Sequence, residues 1–289
     1  MGRLRDLVDL VRAPAALSVP GDVVAGAAAA GVLSPRTPAL AGASVCLYWA
    51  GMAANDWADR GLDAVERPER PIPSGRVSAP AALGIAAGLT AAGLALAGAA
   101  GGRRALAVAV PLAAAIWAYD LKAKNTAAGP ATMAACRGLD VLLGASPGRP
   151  GRALPAALTV AAHTYTVTEL SRREVTGADA RLPAATLAGT AALAAITAAA
   201  GRRAGAPGWR RAVPGALSAW YAAQYGRAQA SAAAQPTAGR IRAAVGAGIT
   251  GLPALQGALT ARAGAPVAGL AVAAAAPLGG RLARLVSPT

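Results

Sequence analysis

Asn55, Asp56, Asp59 and Asp63 are the residues of this sequence whose types and spacing best suit chemistry. Asn55, Asp59 and Asp63 recur at i, i+4 and i+8. Asp56, Asp59 and Asp63 recur at i, i+3 and i+7, so on a helix either set lies along one face. Carboxylates gathered so closely repel one another unless a cation lies between them. Magnesium suits such a donor set, because it takes oxygen ligands and completes its shell with water and substrate phosphates. The expected chemistry is the holding of a phosphorylated substrate through a divalent ion. The bland alternative is a solvated helix end.

The elements that must position these residues are membrane-spanning. The chain has 289 residues, 55% hydrophobic and only 14% charged, well below the ~25% charged residues of soluble domains. Its mean hydropathy is +0.44. Charge-free runs recur along it, among them 38–55, 77–102, 105–119, 182–201 and 243–261. Most approach the ~20 residues that a spanning helix needs. Helices are the forced choice, since backbone groups in lipid must bond internally, and the short alternating segments of a β-barrel are absent. Spans are expected near 15–33, 38–56, 79–100, 104–120, 128–145, 153–170, 183–201, 210–230, 239–261 and 264–285. Pro20, Pro111, Pro155, Pro214 and Pro253 mark helix starts or kinks. Small-residue spacings such as Gly84 to Gly88 would let helix backbones approach. No cleavable signal peptide is expected at the start. Residues 1–289 read as one transmembrane domain.

The formal net charge of +15 raises the question of nucleic acid, and its distribution argues against that partner. Lys and Arg are in excess on the side that carries the N-terminus, which places that side in the cytoplasm of a plasma-membrane protein. Arg202, Arg203, Arg210 and Arg211 run against the trend. The acidic residues are more telling. None of the 13 falls in an outside loop, and most lie in three inside stretches: Asp56 to Glu69, Asp120, and Glu169 to Asp179. These follow the second, fourth and sixth spans. Such convergence suits one active site at a membrane surface. Cys46 and Cys136 fall in apolar segments and read as packing residues.

After the first motif the chain reads Arg67-Pro68-Glu69-Arg70-Pro71-Ile72-Pro73-Ser74-Gly75-Arg76. The pattern NDxxDxxxD followed by RPIPSGR at the end of a second span resembles the UbiA superfamily of intramembrane prenyltransferases. Tyr119-Asp120-Leu121-Lys122 is similar to that family's Tyr-x-x-Lys element. The resemblance implies an all-α polytopic fold of about nine transmembrane helices around a central cavity. It implies two acidic motifs that hold Mg²⁺, which in turn binds the diphosphate of an isoprenyl diphosphate. Ionisation would give an allylic cation that alkylates an acceptor. Asn55, Asp56, Asp59 and Asp63 match the first motif. Arg67, Arg70, Tyr119, Lys122, Arg137 and Arg173 are the expected substrate-binding residues, with Asp140 a helical-turn partner for Arg137.

The second motif departs from the family pattern. Arg173-Glu174-Val175 resembles the run that precedes it in archaeal-lipid-type members, but the closely spaced aspartates are missing. Glu174 and Asp179 are the expected substitutes as metal ligands, with Glu169 beside them. Alternatively, one metal does most of the work. The departure is similar to that of the Ebo group, which occurs beside cyclitol-type biosynthesis genes. The expected function is Mg²⁺-dependent prenyl transfer to a small aromatic, cyclitol or other acceptor. A terpene cyclase that quenches the cation within its own substrate is the close alternative. A transporter or scaffold is the distant one. His163, the sole histidine, reads as a packed residue. Tyr48, Trp49, Trp57, Tyr119 and Tyr165 are candidates to line a cavity, and Trp209, Trp220 and Tyr221 to anchor at the interface.

Overall fold

The computed structural model describes residues 2–12, 18–199 and 208–275. Among these there are ten α-helices and no strand: α1 (Gly2–Leu10), α2 (Val19–Ala30), α3 (Thr37–Glu66), α4 (Ala79–Ala118), α5 (Gly129–Ala145), α6 (Leu154–Ser171), α7 (Arg181–Ala199), α8 (Gly208–Ala234), α9 (Ala238–Arg262) and α10 (Pro266–Ala273). A π-helical turn, Tyr119–Ala123, follows α4, and a 3₁₀ turn, Pro150–Ala153, leads into α6. Local sequence sets the boundaries. Pro lies in the first turn of α2, α3, α5, α6 and α10, where its missing N–H costs nothing. The Ser78 side chain caps α4 and that of Thr237 caps α9. Gly31, at φ 71°, closes α2 in the left-handed conformation that glycine adopts freely.

Nine of the ten expected spans are recovered nearly whole. The two expected at 79–100 and 104–120 lie within the single run α4, and they are nonetheless two separate helices. Gly102 has φ 63° and ψ −152° inside that run. In one straight helix Thr90 and Trp117 would stand about 40 Å apart, yet the Trp117 indole N–H donates to Thr90 Oγ1 at 3.1 Å. The chain therefore folds back at Gly102 as an antiparallel hairpin, and Arg103 and Arg104 sit exposed at its tip. The last expected span is described only as far as the short α10; the rest of it, and Arg202 and Arg203, lie outside the described residues.

Small residues do bring helices together, but not at the expected Gly84–Gly88 spacing, where a Cβ on either glycine would meet nothing within 4 Å. The close approach is between α2 and α5. A Cβ on Gly26 would strike the Val141 carbonyl, and one on Gly144 would strike the Val23 carbonyl. Gly93 of α4 packs against Ala43 and Leu47 of α3 in the same way. The reason is direction: Gly84 and Gly88 face outward on α4, and spacing alone does not fix which face meets a neighbour.

At ~1.5 Å per residue α3 is about 45 Å long, longer than the ~30 Å hydrocarbon layer. Its last three turns carry Asp56, Asp59 and Asp63. The hairpin of α4 brings the π turn back to that end, and α6 also ends there.

Candidate active site

One face of α3 runs from an apolar interior to an acidic mouth. Tyr48, Met52, Asn55, Asp56, Asp59 and Asp63 recur every one to four residues, most of them three or four apart. Tyr48 and Met52 line a cavity of about 290 Å³ among α2, α3, α5, α6 and α9, together with Trp49, Tyr119, Arg137 and His163. Asp63 lies about 22 Å along the helix from Tyr48. A small pouch off the same wall reaches Asp120 and Cys136 past Tyr119 and Met133.

At the mouth, each carboxylate of the first motif faces a cation. Arg70 reaches two of them, with Nη1 2.5 Å from Asp63 Oδ2 and 3.4 Å from Asp56 Oδ1. Asp56 and Asp63 are only 3% and 2% exposed, and Arg70 is 18% exposed. Arg67 lies 3.9 Å from Asp63. Asp59 pairs with Lys124 at 2.6 Å, and Asn55 Nδ2 donates to Asp120 Oδ1 at 3.3 Å. The fourth cation was not legible from the motifs. Arg12, just after α1, donates from Nη2 to Asp56 Oδ1 at 2.5 Å. Its φ of 45° makes it the only described non-glycine residue in left-handed backbone, a cost that persists where surroundings over-determine it. Those surroundings are visible: Leu10 is fully buried against Ala53, Ala54 and Val77, and Arg76 of the RPIPSGR loop grips Asp6 at 2.7 Å and Asp9 at 3.1 Å. The hydrogen bonds to Asp6, then Asp9, push the Arg76 ionisation further up.

Lys124, not Lys122, turns toward the motif. The π-helical turn places the Lys124 N–H on the Tyr119 carbonyl at 3.0 Å. That wide turn adds a residue per revolution and leaves Lys122 exposed. The loop after α6 meets this region too. The Arg172 side chain donates to the Thr126 carbonyl, and Arg173 lines a shallow depression with Lys124 and Asn125. On its other side Arg173 borders a depression with Glu169 and Asp179. The three acidic stretches thus share one end of the bundle.

The second motif does not close on the first. Asp179 Oδ1 accepts the Arg181 backbone N–H at 2.8 Å, at the start of α7. Glu174 lies half-buried beside Arg242, whose Nη2 donates to its backbone carbonyl at 3.3 Å. Burial outweighs that cation and raises the Glu174 carboxyl above its ordinary value. Among the described residues no group of three or more His, Cys, Asp or Glu side chains is arranged to hold a metal.

Deeper in, Arg137 lines the cavity as expected, but its partner is Asp22 of α2, 2.8 Å from Nε; Asp140 instead accepts from Ser44 Oγ. His163 Nδ1 pairs with the Tyr221 hydroxyl at 2.9 Å, its ring edge-on to Tyr221 and Tyr225. Tyr221 is therefore core, not an interfacial anchor, whereas Trp209 and Trp220 are exposed. Trp57 and Tyr165 do not line the cavity: Trp57 packs beside Leu10 and Tyr165 is exposed.

A profile of the UbiA prenyltransferase family matches residues 17–241. The chain belongs to that family. The curated relatives it matches include the digeranylgeranylglyceryl phosphate synthases of Natronomonas pharaonis, 46% identical over 85 residues (29% of this chain, 31% of that one). That of Methanopyrus kandleri is 38% identical over 130 residues (43% and 45%). The matched segment thus spans less than half the length of these relatives. Among solved structures, a UbiA homologue from Aeropyrum pernix K1 superposes with TM-score 0.64 at 18% identity, over 89% of this chain and 97% of that one. A UbiA homologue from Archaeoglobus fulgidus bound to GPP and Mg²⁺ gives TM-score 0.57 at 14% identity, over 93% and 99%. At these identities the likeness is one of fold. An all-helical UbiA fold accounts for what the helices alone leave ambiguous: among the described residues only Ala79–Ala123 and Arg181–Ala199 are long and apolar enough to read as spans on their own. The others carry the charges and small residues of a packed intramembrane site.

A divalent ion fits the first motif of this UbiA-family chain better than the second. Asp56 and Asp63 converge on one positive charge, the Arg70 guanidinium, from two helical turns of α3. All their donor atoms are oxygens, the ligand type that magnesium prefers.

Proposed function

We propose that this chain transfers an isoprenyl group from an isoprenyl diphosphate to a small acceptor within the membrane. The observation that carries the reading is the acidic end of α3. There, buried Asp56 and Asp63 share one cation while Arg12, Arg67 and Lys124 crowd beside them, about two to four turns along the same helix from Tyr48 and Trp49, which line the apolar cavity with Tyr119. A diphosphate is a poor leaving group until its charge is neutralised. In this reading Asp56 and Asp63, with Asp59 and Asn55 beside them, would hold Mg²⁺. The ion would offset the charge that grows on the leaving oxygen.

The chain's own residues do the rest. Arg70, Arg12, Arg67 and Lys124 exchange carboxylate for diphosphate oxygens and orient the donor with its chain pointing inward. The bond from the prenyl carbon to the diphosphate oxygen breaks, and diphosphate departs with the electron pair. A bond from that carbon to the acceptor forms, and the acceptor's proton passes to solvent or to diphosphate. The apolar walls keep water from the allylic cation, and the faces of Tyr48, Trp49 and Tyr119 favour it. Asp179 is engaged by the start of α7, so in this reading the first motif does most of the metal binding and Glu174 and Asp179 play the lesser part.

The same reading takes the chain as a single domain in the plasma membrane with the acidic mouth toward the cytoplasm. The excess of Lys and Arg at that end supports the orientation. The test is turnover in membranes with Mg²⁺ and geranyl, farnesyl or geranylgeranyl diphosphate, with pyrophosphate release and products both scored. Asp56→Asn should lower release by about 100-fold or more, the loss typical when one electrostatic catalytic group is removed. Undiminished release would refute the reading and favour a transporter or scaffold. A terpenol or hydrocarbon formed from donor alone would convert it to a cyclase.

A further inference from the structure

The inner end of the cavity carries a second set of charges that diphosphate binding does not use. Arg137, Asp22 and Asp140 are all nine-tenths or more buried. Arg137 Nε contacts Asp22 Oδ2 at 2.8 Å, and its Nη2 donates to the Ser18 carbonyl at 3.2 Å. Its guanidinium lies 5.5 Å from the Tyr48 ring centroid. Gln256 Nε2 ties the group from α9, donating to Asp22 Oδ1 at 2.6 Å and to the Ser18 carbonyl at 2.7 Å. A guanidinium has five N–H donors, so this arrangement leaves Arg137 with spare donors at the cavity wall. One further buried group there has no partner among the described residues, the Trp49 indole N–H. The Tyr48 hydroxyl, which the Arg137 side chain approaches, keeps its own O–H to donate. Buried polar groups in folded proteins find partners. An open indole N–H and a hydroxyl on one wall, beside an arginine with donors to spare, describe a site for oxygen atoms.

Charge decides which oxygens. With Asp22 ionised against Arg137, the cluster is neutral or negative, whether or not Asp140 carries a proton. An incoming carboxylate or phosphate would add an uncompensated negative charge in a medium where such charges are costly. We propose that the Arg137–Tyr48–Trp49 wall is the acceptor subsite, and that it takes a small uncharged molecule through hydroxyl or carbonyl oxygens and excludes anionic acceptors. Its role as acceptor site rests on the prenyl-transfer reading; its preference for neutral ligands does not. The cavity of about 290 Å³ sets the size, near the lower end for small-molecule pockets. Along α3, Tyr48 lies about 12 Å from Asp56, so such a molecule can occupy the wall while a diphosphate occupies the mouth.

The test is binding, read without turnover. The full chain in lipid nanodiscs is titrated with 4-hydroxybenzyl alcohol against 4-hydroxybenzoate, and with myo-inositol against its 1-phosphate, while tryptophan fluorescence and thermal shift are followed. In at least one pair the uncharged member should bind at least about tenfold more tightly than the anion. Arg137→Lys, which loses the planar fork, should weaken the uncharged ligand about tenfold. Because a variant of Arg137 alone strands Asp22, the pair Asp22→Asn with Arg137→Gln provides a charge-free version, with the same loss expected. Asp140→Asn should narrow the discrimination against the anion. Tighter binding of the anion in both pairs, no saturable binding of either uncharged compound, or unchanged affinity in both Arg137 variants overturns the proposal. Pyrophosphate release from geranylgeranyl diphosphate with Mg²⁺, measured in parallel with Asp56→Asn, fails or holds independently and so reports on the prenyl-transfer reading alone.

Discussion

Replacing Arg70 by Met separates the structural duty of the mouth from its metal-binding duty. Arg70 bridges Asp56 and Asp63. Without it Asp56 keeps Arg12 at 2.5 Å, whereas Asp63 keeps only the exposed Arg67 at 3.9 Å. One nearly buried carboxylate is therefore stranded. Breaking a buried ion pair from one side costs about 3–5 kcal/mol. Arg70 is 18% exposed, which points to the low end, about 3 kcal/mol. At roughly 2 °C per kcal/mol for a chain of this size, the loss in Tm is about 6 °C. The sign of the magnesium effect then carries the argument. In the native chain Mg²⁺ must displace a guanidinium before it reaches both carboxylates; in Arg70→Met the two carboxylates are free to take it. A ligand that binds only the folded state stabilises it by about 2.7 kcal/mol at 100 times its Kd. So Mg²⁺ at millimolar levels should recover most of the loss in Arg70→Met and raise the native Tm less. The assay is thermal unfolding in detergent with EDTA or Mg²⁺, with Ca²⁺ and Na⁺ as controls. If Mg²⁺ does not stabilise Arg70→Met more than the native chain, Asp56 and Asp63 do not form a magnesium site.

Lys124→Met should raise the KM for the prenyl diphosphate by about tenfold, the scale of one lost charge-assisted hydrogen bond, while Lys122→Met should leave it unchanged; steady-state kinetics of both variants decide this. Gly144→Ala drives a Cβ into the Val23 carbonyl and should cost about 1–3 kcal/mol. Gly84→Ala meets nothing within 4 Å and should be neutral or stabilising by about 0.5–1 kcal/mol; unfolding in mixed micelles compares the two. Glu174→Gln should raise Tm at pH 7 and leave it unaltered near pH 4. The Glu174 carboxyl titrates higher in the fold than in the unfolded chain because burial disfavours its charge, so its ionisation erodes stability as pH rises through that range and the amide escapes the penalty. Equal Tm differences at both pH values would contradict this assignment.

The spans were legible because lipid leaves so few choices. A run of apolar residues long enough to cross must be a helix, and prolines and caps mark its ends. The three carboxylate-bearing loops were legible because charge in such a chain gathers at the helix ends. What did not read out was direction. Lys122 matches the family's spacing, but after the π turn it is Lys124 that pairs with Asp59. Arg137 has Asp140 one turn away along its own helix, but a helix from the start of the chain supplies Asp22 instead. Gly84 and Gly88 have the spacing of a packing motif, but they face outward. In each case the sequence holds the right residue type, and the partner is chosen by a tertiary contact between segments that lie far apart in the chain. Arg12 is the extreme instance. Nothing in its neighbourhood marks it, and its contact with Asp56 exists only because Arg76 and Leu10 pin α1 across the mouth.

The mouth and the inner wall answer the same problem with opposite charge balances. At the acidic end three carboxylates meet four cations on flexible stems, drawn from just after α1, the loop after α3 and the end of the π turn. On the prenyl-transfer reading, each of those cations would let go of a carboxylate and take up a phosphate oxygen, so a diphosphate with its metal would enter by exchange and strand no charge. At the inner wall one cation is fixed between two carboxyl groups by Gln256, Ser18 and Ser44. No exchange is open there without leaving Asp22 unpaired, and only groups that ask for hydrogen bonds without bringing charge can be accommodated. On the prenyl-transfer reading, that difference would keep an anionic donor at the acidic end and admit an uncharged molecule to the apolar cavity. It would assign the two substrates to separate places along one face of α3.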